Sequence, residues 1–113
     1  MAITNVHIMV GNGAVVPSGT IIVRGGKIVS ASAGAADIQN LTIIDANGMS
    51  AMPGFIDAHK HINTGPNEKE LILSLLEAGY TTVLSGGGPG DGNLTLRDHI
   101  ESGIGSFRRN ASI

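Results

Sequence analysis

The sequence predicts an α/β chain in two parts: a small antiparallel β unit over residues 1–52, then the start of a parallel βαβα arrangement over 53–103. Three observations carry this prediction. Short β-branched runs punctuated by Gly, Pro and Asn fill the first half. A stretch with Leu or Ile at 71, 72, 75 and 76 has the spacing of a helix packed on one face. The run YTTVLS at 80–85 lacks polar alternation, as expected of a strand buried on both faces.

In chain order, strands are predicted over 3–10, 20–23 and 27–30, with turns at Gly11-Asn12-Gly13, Pro17-Ser18-Gly19 and Gly25-Gly26. The segment IIVRGGKIV reads as a tight hairpin, because its Gly-Gly pair supplies the positive φ that two-residue hairpin turns require. Residues 31–40 are small and polar, a loop, and LTIID is a further strand. After Pro53, the run GFIDAHKHI is strand-like. In NEKELILSLLEAG, Asn67 and Glu70 have capping-box spacing and Gly79 lies where a C′ glycine would end a helix. Strand, helix and strand with short joins make a βαβ unit. The glycine-rich GGGPGDG follows, then a short predicted helix over 93–102 ending at Gly103, and residues 104–113 form an irregular tail.

Composition narrows the function. With 42% apolar and 14% charged residues, the chain has enough apolar surface to fold. A net charge of −2 supplies no basic footprint, so nucleic acid and anionic membrane are not expected partners. Cysteine is absent, which rules out thiolate metal sites and leaves His, Asp, Glu or a modified Lys as ligands. The N-terminus lacks a basic segment before an apolar stretch, and no apolar run nears the roughly 18 residues of a spanning helix, so a cytoplasmic location is expected.

The chemistry-bearing stretch is PGFIDAHKHI, residues 53–62. Side chains at i and i+2 of a strand share a face, so His59 and His61 aim at one spot while Lys60 points away. Two neutral imidazoles there are candidate metal ligands. Asp57, two residues earlier, is either an outer acceptor for an imidazole N–H or a strand residue with a backbone partner. His7 reads as structural within its strand, and His99 as a helix-surface residue. The GGGPGDG run lacks the Lys and Ser/Thr of a phosphate-binding loop.

The run IIDANGMSAMPGFIDAHKHI, with IIVRGGKIV before it and LLEAGYTTVLSGGG after it, resembles the N-terminal part of the metal-dependent amidohydrolase superfamily, closest to imidazolonepropionase-like and dipeptidase-like members. That resemblance implies an N-terminal antiparallel β-sandwich portion leading into a (β/α)8 TIM-like barrel. It also implies that His59 and His61 are the ligands on the first barrel strand for one or two divalent ions, most simply zinc. The activity implied is hydrolysis of an amide or cyclic amide C–N bond in a small-molecule substrate. The family's later ligands and its proton-handling aspartate have no counterpart here, so no catalytic residue is assigned. Such a barrel needs about 200 or more residues, and 60 follow Pro53. The chain is therefore expected to be an incomplete segment, inactive alone, whose partners would be the missing C-terminal barrel segment and, in a homo-oligomer, further copies. The alternatives are a non-catalytic binding or assembly module and one half of a split hydrolase.

Overall fold

The computed structural model describes residues 1–34, 36–86 and 90–103. The predicted tail and part of the glycine-rich loop, residues 87–89, lie outside the described residues. The chain divides into two compact units, Met1–Pro53 and Gly54–Ile113.

The first unit is a five-stranded mixed sheet. Its strands are β1 (Ala2–Met9), β2 (Val15–Arg24), β3 (Lys27–Ala33), β4 (Ile43–Asp45) and β5 (Ser50–Ala51), in the order β3-β2-β1-β4 with β5 also on β1. The Gly25-Gly26 hairpin forms as its sequence demands, both glycines having positive φ, at 55° and 74°. The predicted antiparallel sandwich portion needs correcting. β1 pairs antiparallel with β2 but parallel with both β4 and β5, and the described residues of this unit form one sheet. Once β2 has taken one side of β1, the later strands reach its other edge running in the same direction.

Pro17-Ser18-Gly19 also differs from the turn predicted for it, since β2 runs straight through it. The pairing steps from Val6↔Gly19 to Ile8↔Val16, an extra residue on β2. Such a bulge accommodates a proline that cannot donate to the ladder. Gly19 is required by close packing: a Cβ there would lie 2.6 Å from the Ser32 carbonyl oxygen. The compensating extra residue on β1 falls between Ile3 and Val6, where Asn5 takes φ 52°. Val6, Ile8, Ile21 and Ala46 form the core of this unit.

The second unit carries the predicted βαβα order as β6 (Phe55–Lys60), α1 (Glu68–Glu77), β7 (Tyr80–Ser85) and α2 (Gly92–Glu101), with β6 and β7 parallel. Gly79, at φ 90°, ends α1 with its N–H donating to the Leu76 carbonyl. The capping box does not form, because Asn67 makes no side-chain cap hydrogen bond. Ile62, Ile72 and Leu96 are the core, with Leu75, Val83 and Ile100 against them. β7 is not buried on both faces: Leu84 is 67% exposed, and on β6 Ile56 is 71% exposed. The cause is that the described residues give this sheet two strands and cover it with helices on one side.

Two irregularities shape β6. Near its start, the pairing steps from Phe55↔Tyr80 to Ile56↔Thr82, and near its end the four residues of β6 from Asp57 to Lys60 face the three of β7 from Val83 to Ser85, an extra residue on β6. The end bulge turns the His59 N–H toward the Asp57 side chain, whose Oδ1 accepts it at 3.0 Å. At the start, the strands approach so closely that a Cβ on Gly54 would overlap the Thr81 side chain, with Thr81 Cβ 2.7 Å away.

Gly54→Ala is therefore expected to destabilise the second unit by about 1–3 kcal/mol, the usual range for overpacking, and Thr81→Ala should recover part of that loss in urea unfolding. Asp57→Ala is expected to cost about 1 kcal/mol by loss of one hydrogen bond. Asp57→Asn, which retains an acceptor oxygen, should unfold close to the unmodified midpoint.

Candidate functional site

The end of β6 is held from three directions. The Gly86 N–H donates to the Lys60 carbonyl at 3.0 Å, tying the residue between the two histidines to the end of β7. Asp57 fixes the backbone of His59, as described. Ile62, directly after His61, is 6% exposed within the core. The backbone from 59 to 62 thus has one anchor at nearly every residue, while both imidazoles remain exposed.

Those rings converge. His59 Nε2 and His61 Nε2 are 3.0 Å apart, and the ring centroids are 5.0 Å apart at an interplanar angle of 61°. This is the spacing of an N–H···N hydrogen bond, in which donor and acceptor are set by the tautomers of the two rings. The same separation suits a shared cation. Zinc–imidazole bonds of about 2.0–2.1 Å to two nitrogens 3.0 Å apart subtend roughly 95°, and opening the pair by about 0.3 Å reaches the tetrahedral angle. Neutral imidazole nitrogens are suitable donors for zinc and several other transition ions. A third ligand does not join them: among the described residues no group of three or more His, Asp or Glu side chains could hold a metal ion.

Asp57 takes the second of its two predicted roles, with the His59 backbone as its partner. His7 lies on β1, its Nδ1 3.1 Å from Ser50 Oγ on the paired β5. His99 has a role that its sequence context did not signal. Its Nδ1 lies 2.9 and 3.1 Å from the two carboxylate oxygens of Glu68, a side chain only 7% exposed at the first turn of α1. Glu68 and His99 are 31 residues apart, and no local pattern links them. The only available hint was an acidic residue at a helix start, which the helix dipole favours in any case. At the start of α2, Ser85 Oγ donates to Asn93 Oδ1 at 2.9 Å, joining that helix to the end of β7.

No protein-family model matches the chain. Individual relatives do. It is 41% identical over 69 residues to an imidazolonepropionase of Caldanaerobacter subterraneus subsp. tengcongensis, a match covering 60% of this chain and 17% of that protein. It is 40% identical over 80 residues to an enamidase of Eubacterium barkeri, covering 66% and 19% respectively. The chain therefore spans about a fifth of the length of the curated relatives it matches. Among solved structures, it is similar to a prolidase complexed with N-methylphosphonate-L-proline, with TM-score 0.69, 26% identity, and 91% of this chain and 29% of that one covered. An L-hydantoinase (dihydropyrimidinase) from Arthrobacter aurescens aligns with TM-score 0.60 and 29% identity over 74% of this chain and 20% of that one. By sequence and by fold, the chain corresponds to the N-terminal portion of the amidohydrolase superfamily.

Proposed function

We propose that this chain supplies the first corner of a divalent-metal site in a hydrolase acting on amide or cyclic amide C–N bonds of a small molecule. The observation that carries the reading is the approach of His59 Nε2 to His61 Nε2 at 3.0 Å, in a segment matching imidazolonepropionase and enamidase relatives. His59 and His61 hold the ion, zinc being the simplest choice, with Nε2 deprotonated on both rings. A divalent ion at this position supplies Lewis acidity toward a carbonyl and activates water near neutral pH. The chain's own contribution is orientation: Asp57, Lys60 and Ile62 fix the backbone from which the two rings project, so less of it has to be ordered on binding.

Catalytic zinc normally takes three protein ligands and keeps one position open. Two imidazoles fall short of that set, so the remaining ligands and the group that moves the proton come from further barrel strands. Support for such strands comes from the half-covered β6–β7 pair, where Phe55, Ile56 and Leu84 are each at least half exposed, an unfavourable state for apolar side chains. No helix among the described residues is long and apolar enough to cross a membrane, and we place the enzyme in the cytoplasm.

Titration calorimetry of the 113-residue chain with zinc is expected to show one bound ion per chain, lost in both His59→Asn and His61→Asn. With excess zinc, the chain alone should give no turnover of amide or lactam substrates. Undiminished zinc binding by either variant would contradict the metal assignment, and chelator-sensitive turnover would contradict the need for further strands.

A further inference from the structure

We propose that Glu68 and His99 are a positioning pair for the two histidines of the site, acting through the packing of α2 on Ile62. The inference rests on the reading of His59 and His61 as a converging ligand pair. Glu68 is a buried carboxylate, 6% exposed, and a carboxylate in that state needs a compensating donor. His99 provides it, with Nδ1 between the two carboxylate oxygens. The pair joins the first residue of α1 to the last turn of α2.

The start of α2 is tied separately, by Asn93 to Ser85 at the end of β7. Between these two ties lies Leu96, 3% exposed, in one cluster with Ile72 of α1 and Ile62. Ile62 is bonded to His61. The covalent and packing path from the pair to the site is therefore His99, Leu96, Ile62, His61, with every intermediate side chain buried. Releasing the last turn of α2 would uncover Ile62, and the backbone on the far side of His61 would lose its anchor. Lys60 would still be held by Gly86, so the expected result is a change in the direction of the His61 ring while the strand pair persists.

The experiment uses the full chain without metal and reads the proton NOE between the His59 and His61 rings, with zinc affinity measured alongside. Glu68→Asp keeps the charge at the helix start but withdraws the carboxylate from His99, and His99→Ala removes the donor. Both are expected to lose the ring-to-ring NOE at unchanged strand content and to bind zinc about tenfold more weakly, the lower end of the effect of outer partners of metal ligands. Glu68→Gln keeps an acceptor oxygen in place and should retain the NOE. If His99→Ala fails to fold, Glu68→Asp decides. An intact NOE and unchanged zinc affinity in a folded Glu68→Asp or His99→Ala chain would overturn the inference, whatever happened to stability. Absence of the NOE in the unmodified chain would overturn the site reading itself, and this inference with it.

Discussion

The parallel pairing of β6 with β7 is the constraint on which the site depends, and its decisive contact is the hydrogen bond from the Gly86 N–H to the Lys60 carbonyl. That bond fixes the residue between the two histidines. His59 lies on β6 and His61 directly after its last residue, and the two side chains turn to one side. A regular ladder would be enough to share a face, but the rings come much closer than that, to 3.0 Å between nitrogens. The bulge between Asp57 and Lys60 accounts for the difference, because bulges bend a strand and re-aim its side chains. The donor that the bulge turns from the ladder is satisfied locally by Asp57.

Rigidity of this kind decides whether two imidazoles are a site or a coincidence. Two exposed histidines on a loose loop would each lose rotamer freedom on binding an ion, offsetting much of the gain. Here the backbone of residues 59, 60 and 62 is anchored by a hydrogen bond to Asp57, a hydrogen bond from Gly86 and burial of Ile62. The rest of the second unit is less well covered. Its buried core comprises Ile62, Ile72 and Leu96, and apolar side chains on both strands face outward. The unit thus combines a closely spaced histidine pair with a two-stranded sheet whose outer apolar side chains are exposed.

Much of this was legible in the sequence. Residue period placed the strands and helices of the second unit, glycine marked the ends of α1 and the β2–β3 hairpin, and the H-x-H spacing indicated that His59 and His61 face together. Three features were not legible, for definable reasons. Parallel pairing of β1 with β4 and β5 is a matter of chain routing, to which local patterns are indifferent. Pro17-Ser18-Gly19 has turn chemistry, yet tertiary pairing with β1 and β3 carries it through as a bulge. The Glu68–His99 contact joins residues far apart in sequence, and nothing in the composition of either helix marks it. Asp57 was legible only as a pair of options, since a carboxylate two residues before a histidine can reach either a ring or a backbone N–H.

The central claim is that the two Nε2 atoms are preorganised to share one ion. X-ray absorption at the zinc edge, on the full chain loaded with one equivalent of zinc, tests it most directly. The account predicts two imidazole nitrogens at about 2.0–2.1 Å per zinc, with oxygen in the remaining positions. A first shell holding one imidazole or none would contradict it.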